Sequence, residues 1–181
     1  MSQAFVGGPI LISASQKHNE GGCEPFIREV AFSGNMVRTI TTKARRVLVS
    51  RLLPGEDTID AISSIAIENE IKAAQFFGIG AISKARLGFF DMETKEYLSY
   101  DIEKNLEVVS LTGNVALSGD GLVAVHAHMV VSDREGNCFG GHVMQGCEVS
   151  VTIELFLTEL DDELKRAIDG PTGLNLLNLP K

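Results

Sequence analysis

The spacing of apolar and polar positions predicts one helix embedded in a series of strands. From Arg46 to Leu53 (RVLVSRLL) β-branched and large apolar residues dominate, as in a core strand. Pro54-Gly55 stops that run. Asp57 is placed to cap a helix, with Glu56 and Asp60 suiting its positive N-terminal end. Ile59, Ile62, Ile65 and Ala66 recur at helical spacing, which predicts an amphipathic helix over 58–70 with its apolar face on a sheet. Lys84–Phe90 and Glu96–Ile102 flank Asp91-Met92-Glu93-Thr94-Lys95 as a hairpin. Leu106–Leu117, Leu122–Val131, Phe139–Met144 and Val149–Thr158 read as further strands, and their short turns imply antiparallel neighbours. The tail LKRAIDGPTGLNLLNL is expected to start as a short helical turn and then run along the surface.

Glycines refine this picture. In FFGIGAISKARLGFF, Gly78 and Gly80 suggest a tight bend or a close backbone approach. The pair is not half of a dinucleotide-binding fingerprint, because the third glycine is absent and a strand, not a helix, follows. Residues 1–42 are irregular, with Gly7-Gly8-Pro9, Gly21-Gly22 and Gly34-Asn35 interrupting short apolar runs. They are expected to form an N-terminal extension packed on a domain of residues 43–181. The total is six to eight strands and one good helix, an α+β domain built on antiparallel sheet.

Composition narrows the function classes. The chain has 181 residues, enough for one domain with a proper core, and its 44% hydrophobic and 22% charged content is ordinary for a globular protein. No apolar stretch approaches membrane-spanning length, and the N-terminus lacks the basic start and apolar core of a secretory signal. Cys23, Cys138 and Cys147 are odd in number and form no CxxC, so reduced thiols in a cytoplasm are expected. A net charge of -8 opposes general phosphate binding. The local exception is the run with Arg28, Arg38, Lys43, Arg45, Arg46 and Arg51, read either as a solvated strand flank or as a phosphate-binding edge.

Candidate chemistry lies in VHAHMVVSDREGNCFGGH, which holds three of the four histidines. Alternation along a strand points His126 and His128 to one face. Gly136 suits the left-handed position of a three-residue hairpin loop, Arg134-Glu135-Gly136, so that Asp133 pairs with Asn137. Counting back, His128 faces His142 directly, and His126 lies diagonally across. Gly140 leaves space on the same face. The two histidines on one strand are separated by about 6.6 Å of strand rise, a gap that leaning side chains close. Three imidazoles with an open fourth position are the ligand set of catalytic zinc sites, although imidazole also suits Ni, Cu and Fe. A two-residue loop would turn His142 to the opposite face and remove the site. The alternative is a set of hydrogen-bonded core histidines. Cys138 lies farther along the same face and reads as a small buried apolar residue, and His18 as a solvated one. Glu107 and Asn114, on the preceding strand, are candidates for a supporting hydrogen bond or a general base, or are ordinary strand residues.

With these residues in place, the chain resembles the PPC (plants and prokaryotes conserved) domain. The segments that carry the resemblance run in order as RLLPGED, FGIGAISKARLGFFD, LEVVSLTGNV, VHAHMVVSD, GGHVMQG and DGPTGLNLL. The resemblance implies a sandwich of antiparallel strands with one main helix packed on it, assembled as a homotrimer. It also implies a metal on His126, His128 and His142, and a nominal DNA-binding role. The fold is similar to that of acetolactate decarboxylase. Two departures from the plant pattern stand out. No Arg-Gly-Arg-Pro core of an AT-hook is present, and the plant partner-contacting segment Gly-Arg-Phe-Glu-Ile-Leu corresponds here to Lys104–Val109, without its Gly and Arg.

Two functions follow as expectations. The first is a stand-alone trimeric regulatory module that carries a three-histidine metal site, zinc by preference, with DNA or a regulatory protein as partner. The second is a metal-dependent lyase or hydrolase acting on a small carbonyl or carboxylate ligand at the ion. A purely structural metal tying two strands together near a subunit interface is the remaining reading.

Overall fold

The computed structural model describes residues 30–31 and 36–180. The extension expected over 1–42 therefore lies mostly outside the described residues, as do His18 and Cys23. Its described part includes a pair of two-residue antiparallel strands, β1 (Val30–Ala31) and β2 (Met36–Val37).

The domain is built on one six-stranded antiparallel sheet. Its members are β3 (Ala44–Leu52), β4 (Ala74–Asp91), β5 (Glu96–Leu117), β6 (Val123–Ser132), β7 (Cys138–Val143) and β8 (Glu148–Leu160), in the order β3-β8-β4-β5-β6-β7. The expected hairpin is present, with Asp91 opposite Glu96. The strands on either side of it are longer than the pattern suggested, at 18 and 22 residues. Register shifts at Gly78/Gly80 and Ile82/Lys84 bend β4 and let a strand of that length curl. Gly80 is required by close approach, because a Cβ there would sit 2.0 Å from the Thr152 carbonyl oxygen.

Curling closes the sheet on itself. The first part of β4 pairs with β8, and its end pairs with β7 through Leu87–Val143 and Gly88–His142. Gly141 permits this closure, since a Cβ there would lie 2.8 Å from the Gly88 carbonyl oxygen. The helix α1 (Thr58–Glu68) lies against β6. The Asp57 carboxylate caps it, accepting from the N–H of Ile59 at 2.9 Å and of Asp60 at 3.1 Å. Its other oxygen accepts from Gly146 N–H at 2.6 Å, which fixes the helix start to the turn between β7 and β8. Ile62 and Ala66 enter the same buried cluster as Leu87, Leu111, Met129, Val131, Ile153 and Leu155. Each large side chain buried there contributes about 1.5–3 kcal/mol.

One expectation is corrected. The tail forms no helical turn: β9 (Arg166–Ile168) and β10 (Asn175–Leu177) pair as a hairpin. Leu117 N–H donates to the Leu164 carbonyl at 2.8 Å, which fastens the start of the tail to the end of β5. The basic run also resolves. Arg45 and Arg46 reach the buried Glu159 carboxylate at 3.3 and 2.5 Å, and Arg46 also donates to the Asn69 carbonyl just past the helix. These two cations tie β3 to β8 and the helix, which leaves less of the run for phosphate. Among the described residues no helix is long and apolar enough to cross a membrane.

Candidate metal centre

The β6–β7 hairpin has the register that the loop chemistry predicts. His128 pairs with His142, Met129 with Gly141 and Val130 with Gly140. Gly136 takes a left-handed φ of 82°, and Asp133 N–H donates to the Asn137 carbonyl at 3.0 Å. The Asp133 side chain organises the loop by accepting from the N–H groups of Glu135 and Asn137 and from Lys104 Nζ at 2.8 Å. Hydrogen bonds from Lys104 and then from the Asn137 side-chain amide, which donates to Asp133 Oδ2 at 3.1 Å, hold its carboxyl well below the usual range.

The three imidazoles therefore converge. Their ring centroids lie 5.0–5.4 Å apart, and one nitrogen from each falls within 4.8 Å of the others. A tetrahedral ion with Zn–N bonds of about 2.0–2.1 Å spaces its ligands by about 3.3 Å, so small side-chain rotations complete the set. The donor chemistry fits a transition metal, and His142 Nδ1 is buried without a hydrogen-bond partner. Burial first, then the positive charge of the neighbouring His126 and His128 rings and of Arg166, holds His142 down to about 4. Burial, followed by Arg166 and His128, lowers His126 as well. Rings that resist protonation stay in the neutral form that ligates metal.

This trio does not belong to the core. The core-facing residues of β6 are Ala127, Met129 and Val131, whereas His128 is exposed and the other two histidines are half-buried. Register partners place Val49, Phe156, Phe77, Thr112, His128, His142 and Gly88 in one continuous row across the outer face. Phe77 stacks on Phe156 at 5.1 Å, and Val49 and Phe77 are 67% and 56% exposed, so the histidines adjoin an open apolar surface.

The surroundings sort the other candidates. Asn114 stands opposite His126 and accepts a hydrogen bond on Oδ1 from Arg166 Nη2. Glu107 is exposed and pairs with Ser132, beyond the histidine end of the strand. Cys138 is exposed, contrary to the buried position expected, and is not part of the trio. Cys147 is buried and inert: burial raises its thiol to about 11. Two neighbours escaped sequence reasoning. Tyr97 packs on the His142 ring at 4.7 Å, next to Gly88, where a Cβ would lie 3.1 Å from the tyrosine ring. Arg166 comes from the tail, where no local pattern marks it.

Comparison with known proteins identifies the family and the fold. The profile of the Plants and Prokaryotes Conserved (PCC) domain matches residues 40–161. A plant- and prokaryote-conserved protein from Pyrococcus horikoshii is 33% identical with a TM-score of 0.74, covering 80% of this chain and 99% of that one. A metal-containing protein from Archaeoglobus fulgidus is 32% identical with a TM-score of 0.73, covering 78% and 99%. A candidate DNA-binding protein from Ralstonia eutropha is 28% identical with a TM-score of 0.68, covering 73% and 90%. A fainter likeness, TM-score 0.47 at 10% identity, extends to acetolactate decarboxylase from Bacillus subtilis, covering 72% and 61%. Among curated sequences, the bifunctional protein GlmU of a Synechococcus strain is 31% identical over 160 residues, which is 87% of this chain. The chain spans only 24% of that relative's length.

Proposed function

This chain belongs to the Plants and Prokaryotes Conserved domain family, and from that premise we propose that it is a cytoplasmic, homotrimeric regulatory module built around a metal centre of His126, His128 and His142. The observation that carries the reading is the His128–His142 register, which turns two sequence motifs into one ligand set. The metal-containing Archaeoglobus relative supports it. Zinc is the proposed ion, because three neutral nitrogens with an open fourth position suit it, and when bound it would supply Lewis acidity. The trimer is supported by the apolar row that continues from the histidines, a surface that a second copy would cover. Residues 43–181 form the proposed unit, with 1–42 as its extension.

A regulatory role is supported by the relatives. A stretch 31% identical to this chain forms part of a longer bifunctional protein, and the Ralstonia relative is described as a candidate DNA-binding protein. The charge of -8 and the pairing of Arg45 and Arg46 with Glu159 favour DNA association through a partner over direct contact. A second reading, a metal-dependent enzyme on a small carbonyl or carboxylate substrate, is favoured by the buried Arg166 beside the trio. Elemental analysis with native mass spectrometry tests the main reading: one ion per chain and a mass of three chains are expected. Metal-free protein that takes up none sinks it.

A further inference from the structure

Arg166 is 6% exposed, yet among the described residues no carboxylate pairs with it. Its Nη1 donates to the Asn175 carbonyl at 3.0 Å, its Nη2 donates to Asn114 Oδ1, and its Nε has no partner. A buried cation without an acid is costly, and its placement beside a cation-binding trio adds repulsion to that cost. The bond to Asn114 has a second consequence. An amide whose oxygen is held by a guanidinium must direct its NH2 elsewhere. Asn114 is the cross-strand partner of His126, so that amide is presented on the histidine face. An NH2 group is a donor and cannot ligate a metal. It can donate to an oxygen atom held by one.

Charge points the same way. Three neutral imidazoles leave a divalent ion with its full charge, and Arg166 adds another positive charge. Neither the trio nor Asn114 contributes an acid to offset them.

We infer that the histidine centre takes a small carboxylate as ligand, with one oxygen on the open metal position, Asn114 Nδ2 donating to it, and Arg166 orienting that amide and supplying the counter-charge. The inference rests on the metal reading above and names the ligand class of the same site. Asn114 is the recognition residue, and Arg166 acts through it.

The test uses full-length protein loaded with Co(II), whose visible spectrum reports on the ligand at the open position. Oxalate is the anionic probe and imidazole the neutral one. Asn114→Asp keeps the acceptor for Arg166 but replaces the donor with an anionic oxygen, and Asn114→Ala removes both. The expected result is that oxalate shifts the wild-type spectrum and binds both variants about tenfold or more weakly, the scale of one hydrogen bond to a charged group. In Asn114→Ala, which adds no competing ligand, cobalt is still taken up and imidazole still binds. Arg166→Gln, if it folds, should follow the same pattern. If cobalt and imidazole bind but oxalate does not, or if oxalate binds wild type and the Asn114 variants alike, the inference falls while the metal reading stands. Failure to take up cobalt overturns both.

Discussion

His142 faces His128 across the β6–β7 pair, with their ring centroids 5.4 Å apart and their planes nearly perpendicular. His128 is exposed, so its ring supports no core packing. The variant His128→Ala is expected to lose the metal while the metal-free fold keeps its stability within about 0.5 kcal/mol. Elemental analysis, paired with urea unfolding of the metal-free proteins, checks both halves of that statement.

Gly141 is where the closure of the sheet and the proposed metal centre depend on one atom. A methyl group there would meet the Gly88 carbonyl oxygen, which is backbone and cannot swing aside. Gly141→Ala is therefore expected to destabilise the fold by about 1–3 kcal/mol, as overpacking does, and to weaken metal binding by shifting His142. A lower urea midpoint together with lower metal affinity would show the coupling. A lower midpoint with unchanged affinity would separate the two.

The hairpin that sets the trio carries a pH dependence through Asp133. Its carboxyl is held below the usual range in the folded protein, so the folded state binds its proton less readily than the unfolded chain does. The stabilisation is present above the unfolded value of about 3.9 and fades as pH falls through the lower folded value. Asp133→Asn should lower stability at neutral pH and flatten its decline below about pH 4. Urea midpoints measured from pH 3 to 7, in steps of about half a unit, would read this out.

Phe77 stands in the outer row two register positions from His128, through Thr112. An exposed phenylalanine stacked on Phe156 gains its burial from a second copy if the proposed trimer forms. Phe77→Asp is expected to give a folded monomer by native mass, with an unchanged far-ultraviolet spectrum. A variant that remains trimeric would move the assembly surface elsewhere.

Direct DNA contact is expected to be absent. At -8, with Arg45 and Arg46 engaged by Glu159, the protein alone should show no duplex binding at low salt. Affinity that appears and falls steeply as salt rises would reverse this expectation.

The sequence alone determined what depends on near neighbours. The register of His128 against His142 followed from a loop of three residues and a left-handed Gly136, because a hairpin turn counts pairing outward from itself. The Asp57 cap and the helical spacing of Ile62 and Ala66 located α1 for the same reason. What remained hidden depends on segments far apart in the chain. No local period announces that β4 meets β7 at Gly88, that Tyr97 covers His142, or that the tail pairs as a hairpin instead of coiling. Arg166 reaches Asn114 across 52 residues, and its charge became part of the site only when the packed tail carried it there. Turn geometry and side-chain alternation act over a few bonds and can be read from the chain. Which distant side chain shares a buried space is settled by the whole core folding at once.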